Sequence, residues 1–290
     1  MPNYTNDPVP NQNTASLGNT RSSAALDLPV QLAEKGYIIH GGFTCRNLNL
    51  PENGNTALHV CQNEKDVMKS RRQLEQDLLP LEQWVLPWQK HTDHIQRVTE
   101  KDAGKGAFDK FTSILDTDGL YTTEPDLLIG VFTADCLGIL IADPVHGLIG
   151  AVHSGWKGTV QNILYKTLRE IFDQKLADPI TTQIFFSPSI QQKSFQIRED
   201  VRSLLLESGQ SLGLDYSDLI IPDPSVSKEY RWLADHQAMN VRAAQLTGIP
   251  LENIHESRKD TMTDPACFSY RRDGKTTGEH LSFIWMEKKN

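Results

Sequence analysis

No apolar run in this chain approaches the ~18 residues that a membrane-spanning helix needs, so no transmembrane segment is expected. The N-terminus has no basic start followed by an apolar stretch, so no secretory signal is read there. Cysteine is scarce. Cys45, Cys61, Cys136 and Cys267 lie too far apart to suggest a disulfide framework or a zinc-finger spacing. A reducing, cytoplasmic setting is the expectation. Basic excess is also missing. The formal net charge is −8, whereas a general nucleic-acid binder needs a basic face. The expected partners are therefore small molecules, with neither nucleic acid nor membrane among them, and a local Arg/Lys cluster holding a small anion is compatible with the charge. There is no His-x-His pair, no internal repeat and no linker after residue 35. Oligomeric state is not legible.

What is present concentrates between residues 131 and 158. Two apolar runs, Leu137 to Ala142 and Leu148 to Val152, flank Asp143-Pro144-Val145-His146-Gly147. Short apolar runs bounded by Asp, Pro and Gly read as strands joined by a turn. A loop this short favours an antiparallel hairpin, because a parallel return needs a crossover of a dozen or more residues. A register with Ala142 opposite Leu148 brings Cys136 and His153 side by side at the open end. A thiol beside an imidazole has two chemical uses: ligating a transition metal, or activating the sulfur as a nucleophile. A buried Cys and a half-exposed strand-end His are the structural alternative. Asp135 before Cys136, and Ser154-Gly155-Trp156-Lys157-Gly158 after His153, form a charged, glycine-rich rim that favours a site.

Elsewhere, residues 1 to about 30 are rich in Asn, Thr, Ser and Pro without periodicity and read as a disordered or loosely docked tail ahead of a domain over 31–290. Tyr37 to Arg46 reads as a first strand. Residues 64 to 79 read as a helix closed by Pro80, and Trp84 to His91 as a short strand. His91 and His94 are three apart, either a ligand pair or a solvated loop pair. Val160, Ile163, Leu164, Thr167, Leu168 and Ile171 follow a helical repeat. The free N–H groups at the start of that helix would attract an anion, with Lys157 as a candidate contact. Thr182 to Phe186 and Leu281 to Trp285 read as strands, 199 to 208 and 232 to 247 as helices. His236 falls on the apolar face of the latter and reads as a core histidine. Arg271-Arg272 sits at a turn, where a guanidinium pair is a solvated surface or an anion clamp. Strands mixed with helices around a hairpin predict an α/β (α+β) mixed-sheet single domain.

Thr133-Ala134-Asp135-Cys136, Ala142-Asp143-Pro144 and His153-Ser154-Gly155-Trp156-Lys157-Gly158 resemble the bacterial YfiH/YlmD family, also known under the older label of polyphenol oxidases or laccases. Gln89-Lys90-His91, Ser187-Pro188-Ser189-Ile190, Phe268 to Gly274 and Thr277-Gly278 extend the resemblance over roughly residues 36 to 286. It implies a layered fold similar to that of the cytotoxic necrotising factor. It also implies a metal triad of His91, Cys136 and His153, which selects His91 over His94. Two imidazoles and a thiolate suit zinc, with copper as the other candidate, and three protein ligands leave a fourth position open. Three positions depart from the family pattern. Asp260-Thr261 stands where Cys-Thr is common, Gln191-Gln192 where Gly-Pro is common, and Lys157 where Arg is usual, which keeps the charge and gives up the bidentate fork.

The activity implied is phosphorolysis of purine nucleosides (adenosine, inosine, S-methyl-5′-thioadenosine) together with adenosine deamination. Zinc suits the second reaction because it lowers the pKa of a water to about 7. Arg46, Lys157 and Arg271 are the candidate phosphate contacts, and Asp135 a candidate to orient a ligand or take a proton. The alternative is a Cys136–His153 hydrolase or amidase, in keeping with a metal-free toxin deamidase of related fold and with editing of peptidoglycan precursors. A copper-dependent polyphenol oxidase is the weaker alternative, since a multicopper enzyme needs many more histidine ligands.

Overall fold

The computed structural model describes residues 26–34, 36–225 and 231–289. In chain order the first half contains β1 Leu26–Glu34, β2 Tyr37–Thr44, helix α1 Glu64–Leu74, β3 Trp84–Val85, β4 Pro87–Trp88, β5 Ile95–Arg97 and β6 Ile114–Leu115. Then come β7 Gly119–Thr122, β8 Leu128–Thr133, β9 Leu137–Asp143, β10 Leu148–Ser154, α2 Trp156–Val160 and α3 Ile163–Asp173. The remainder is β11 Gln183–Phe186, β12 Gln196–Ile197, α4 Glu199–Ser211, β13 Ile220–Pro222, β14 Trp232–Ala234, α5 His236–Leu246, β15 Ile254–Glu256, α6 Tyr270–Asp273 and β16 His280–Lys288.

The β9–β10 hairpin is antiparallel and central, as the sequence predicted. It lies in a six-stranded sheet of order β15-β11-β9-β10-β7-β5. A five-stranded sheet of order β1-β2-β16-β8-β3 stacks against it. The period-2 alternation of the strands decides what each face meets. Leu140, Ala142, Ile149 and Ala151 point at the second sheet and pack with Ile39, Ile129, Val131 and Ile284. Ile139, Ile141 and Val152 point the other way, onto α3 and α5, through Ile163, Leu168, Ile171 and Ala244. On the far side of the second sheet, Phe132, Leu281 and Phe283 pack with Trp84 and Leu74. The result is helix, sheet, sheet, helix: a mixed-sheet α/β domain whose hairpin is buried on both faces. Each fully buried Leu or Ile contributes about 1.5–3 kcal/mol, so the hairpin is the most heavily supported element.

Several boundaries differ from expectation for physical reasons. The tail expected over 1–30 lies outside the described residues as far as residue 25, whereas Leu26–Val30 already belong to β1. Helix α1 ends at Leu74, ahead of Pro80, and the chain turns through residues 75–79 instead. The single helix expected from Val160 onward is two helices, because Asn162 sits at φ 58 in the left-handed region and breaks the repeat. Asn tolerates that conformation better than most residues. Trp232 belongs to strand β14, and Asp235 then starts α5 by accepting from the Ala238 N–H.

Gly138 is a position where the two sheets come too close for a side chain. A Cβ there would lie 2.2 Å from Ser282 Oγ and 3.2 Å from Ser187 Oγ. Gly138→Ala is expected to lower unfolding free energy by about 1–3 kcal/mol through overpacking, read as a lower urea midpoint. An unchanged midpoint would mean that the sheets can spread.

Candidate metal centre

The hairpin mouth builds the site, in a register two residues away from the one that would pair Cys136 with His153. Leu148 pairs with Asp143 and Ser154 with Leu137, so His153 faces Gly138. The expected pairing of Ala142 with Leu148 fails because Asp143 stays in the strand and organises the turn. Its carboxylate accepts from Val145 N at 3.0 Å and His146 N at 3.1 Å. Its carbonyl accepts from Gly147 N at 2.9 Å, with Gly147 at φ +66. Cys136 and His153 still meet, by a different route. Cys136 sits in the bend just before β9, and its Sγ lies within 4.8 Å of a ring nitrogen of His153. Asp135, at φ 86, turns the chain away at that point.

The third residue arrives from the 89–92 segment. Gln89 acts like a strand neighbour of β8: its Oε1 accepts from Phe132 N at 2.7 Å and its Nε2 donates to Phe132 O at 2.8 Å. His91 follows at φ 58. The buried carboxylate of Asp118 holds that turn, accepting from the N–H groups of Lys90 (3.1 Å), His91 (3.0 Å) and Thr92 (2.8 Å) and from the Thr92 hydroxyl (2.8 Å). Asp118 Oδ1 also lies 2.8 Å from His153 Nδ1. Nδ1 therefore carries the proton and Nε2 keeps its lone pair free for the site. Cys136 Sγ is 3.9 Å from His91 Nε2, and the ligand atoms of His91, Cys136 and His153 all lie within 4.8 Å of one another.

These three residues fit a metal. Their donors converge, the second histidine is oriented by a carboxylate, and Gly155 closes over the sulfur where a Cβ would come within 2.7 Å of Sγ. Electrostatics agree. Burial works against the Cys136 thiolate, but the adjacent His153 charge and the hydrogen bonds from both rings outweigh it and bring the thiol down. Burial likewise works against charge on His153, and Cys136 and Asp118 push its pKa up. Asp118, opposed by its own burial, is held down to about 2 by His153 and by the Thr92 donors. A metal held by the Cys136 thiolate and the His153 Nε2 lone pair competes with protons for both atoms, so its binding weakens as pH falls.

The triad opens into a cavity of about 520 Å³, within the ~300–1,000 Å³ typical of small-molecule sites. Asp135 and Arg271 line it as well. Both oxygens of Asp135 are engaged: Oδ1 with the Thr261 hydroxyl and Oδ2 with the Arg271 N–H, each at 2.6 Å. The Arg271 guanidinium donates to Gln196 Oε1 at 3.0 Å and Gln196 O at 3.1 Å. Its neighbour Arg272 turns inward and donates to the carbonyls of Thr261, Asp264 and Cys267, so the expected arginine pair presents one cation to the cavity. Arg46 and Lys157, expected as phosphate contacts, are not among the lining residues. Lys157 is exposed with Nζ over the Trp156 ring, and α2 is only five residues long, too short a helix to carry the anion site expected at its start.

Sequence reasoning missed Asp118 as a site residue. It also missed Lys275 and the ion-paired His59 and Glu279 (3.0 Å), all on the cavity wall. His236, read as a core histidine, is on that wall too. Asp260 has a structural use. It accepts from the Ser194 hydroxyl at 2.6 Å and the N–H groups of Gln191 and Met262, fixing the turn before Phe195.

A family model described as multi-copper polyphenol oxidoreductase laccase matches residues 40–287. The purine nucleoside phosphorylase YlmD of Bacillus subtilis is 31% identical over 254 residues, which are 85% of this chain and 88% of that protein. An adenosine deaminase named RL5, from an unknown prokaryotic organism, is 27% identical over 223 residues, 76% of this chain and 82% of the relative. The crystal structure of the Bacillus licheniformis protein YfiH superimposes with a TM-score of 0.78 at 28% identity, covering 87% of this chain and 97% of the other.

Asp118→Asn presents an N–H to donors that now meet an oxygen. Zinc affinity, measured against a competing chelator, is expected to fall about 10–100-fold, with about 1–3 kcal/mol of stability lost. The wild-type contribution of Asp118 has a defined pH sign. Its folded pKa is depressed, so the stabilisation is complete above the model-compound value of 3.8 and disappears as pH falls through about 2. Acid unfolding curves should show that loss in the wild type and not in the variant.

Proposed function

We infer the function from one premise: this chain belongs to the YfiH/YlmD family. The reading that fits best is a zinc-dependent purine nucleoside phosphorylase that also deaminates adenosine. The observation that carries it is a three-donor cluster open to a nucleoside-sized cavity, with a cationic rim. His91 Nε2, Cys136 Sγ and His153 Nε2 would hold the zinc, which when bound supplies Lewis-acid activation of water. Asp118 keeps His153 in the donor tautomer. Asp135 is a positioning residue, tying Thr261 and the first turn of α6 to the sulfur-bearing loop.

In phosphorolysis a phosphate oxygen forms a bond to the ribose C1′ while the bond from C1′ to the base nitrogen breaks, and the leaving base takes a proton. Arg271 and Lys275 are the cations on the cavity wall able to hold that phosphate. The aromatic and aliphatic wall of Trp156, Ile190 and Phe195 suits the base. In deamination water adds at the amino-bearing carbon and ammonia leaves. Zinc is favoured over copper because the described residues contain this one triad, short of a multicopper set. Gln89, which also lines the cavity, is committed at both ends of its amide to Phe132.

One observation favours a second reading. Cys136, His153 and Asp118 are arranged as nucleophile, base and orienting carboxylate, as a hydrolase or amidase of the toxin-deamidase kind requires. His91 weighs against it, since a dyad makes no use of a second imidazole 3.9 Å from the sulfur.

Adenosine with phosphate should give adenine and ribose 1-phosphate, and without phosphate it should give inosine. His153→Ala is expected to abolish both activities together. Lys275→Ala should raise the KM for phosphate about tenfold, the scale of one charged hydrogen bond, while Lys157→Ala leaves it unchanged. Full rates after verified zinc removal would overturn the metal reading, and amidase activity lost on alkylating Cys136 in the same metal-free enzyme would establish the second.

A further inference from the structure

His236 opens α5 and is only 2% exposed, yet it lines the cavity. Its two nitrogens are in different situations. Nε2 is 3.3 Å from Ser189 Oγ. Ser189 Oγ already accepts from Gln237 Nε2 at 2.7 Å and Gln191 Nε2 at 3.3 Å, so its own proton is directed to His236 Nε2. A neutral imidazole accepting at Nε2 carries its proton on Nδ1. Burial holds the ring pKa down, to about 4, against the nearby Asp235 charge and with the help of Arg258, which keeps it neutral at physiological pH. The Nδ1–H is thus a fixed donor, and it has no hydrogen-bond partner among the described residues. Buried donors are nearly always paired, and an unpaired one in a residue that lines a cavity points to a missing acceptor.

The surroundings define that acceptor. The Phe195 ring meets His236 edge-on at 5.1 Å, and Ile190 and Trp156 continue the same wall. A lone donor in an aromatic and aliphatic wall suits the edge of a flat heteroaromatic ring better than a sugar or a phosphate. Within the nucleoside reading on which this inference rests, adenosine and inosine differ at the six-position and in the protonation of N1. They share N3 and N7 as acceptors. A donor serving both substrates must use one of those two atoms.

We propose that His236 is a specificity-determining residue that donates its Nδ1–H to N3 or N7 of the purine base. The test is calorimetric binding of inosine, 3-deazainosine and 7-deazainosine to the zinc-loaded protein without phosphate, so that nothing turns over. Wild type should bind inosine about tenfold or more tighter than one of the two deaza analogues, the scale of one buried hydrogen bond. His236→Phe keeps the ring and removes the donor. It should bind inosine about tenfold more weakly and lose the discrimination. His236→Asn, whose amide donor reaches about as far as Nδ1, should retain it, and unchanged zinc content in both variants reports an intact fold. Equal wild-type affinity for all three ligands, or discrimination that persists in His236→Phe, overturns the assignment of His236 alone. Failure of the wild type to bind inosine at all overturns the nucleoside reading as well.

Discussion

The site depends on one buried carboxylate. Asp118 accepts hydrogen bonds from three consecutive backbone N–H groups, a hydroxyl and an imidazole. Three of these set the conformation of the His91 turn, and the imidazole sets the tautomer of His153. The His153 backbone N–H also donates to Asp118 O at 2.7 Å. Two donors from segments more than sixty positions apart therefore take their geometry from a single side chain. An ionised carboxylate is tolerable at zero exposure only when its lone pairs are met this completely.

The second constraint is steric. Two sheets packed face to face leave no room for a ligand except where side chains are missing, and glycines mark those places. Gly138 lets Ser282 of the second sheet approach β9 directly opposite His153, and Gly155 lets the backbone cross close above Cys136. The site caps the core between the sheets. His153 is continuous with Ile149 and Ala151 on the same face of β10, so its position is set by hydrophobic packing as much as by hydrogen bonds.

This explains what was legible in the sequence. The hairpin, α3, α4 and the strands β11 and β16 carry strong local patterns, and they were placed within a few residues. The register was misjudged because Asp143 looked like a loop residue; only its capping bonds show that it ends a strand. The break at Asn162 was hidden by an apolar repeat that runs through it. The Cys136–His153 pair was legible from the hairpin, and His91 joined it only through the family resemblance. The residues that orient the triad were not legible. Asp118 reaches His91 and His153 across 27 and 35 positions, a relation that no local spacing encodes. Arg46 and Lys157 were candidates for their charge, and neither is among the residues that line the cavity.

The same sulfur and imidazole serve either a metal or a nucleophilic dyad, so pair geometry alone does not choose between them. The backbone of His91 does. A non-glycine residue in the left-handed region costs about 1–3 kcal/mol and persists only where its surroundings over-determine it. Here Asp118 over-determines it through the Lys90, His91 and Thr92 N–H groups, and Gln161 holds the His91 carbonyl at 3.1 Å. A dyad of Cys136 and His153 gains nothing from that arrangement, because His91 could relax into solvent without disturbing either partner. A three-donor site gains its third ligand. The effort spent holding His91 in an unfavourable conformation beside the sulfur is the structural reason to read the cluster as a metal centre.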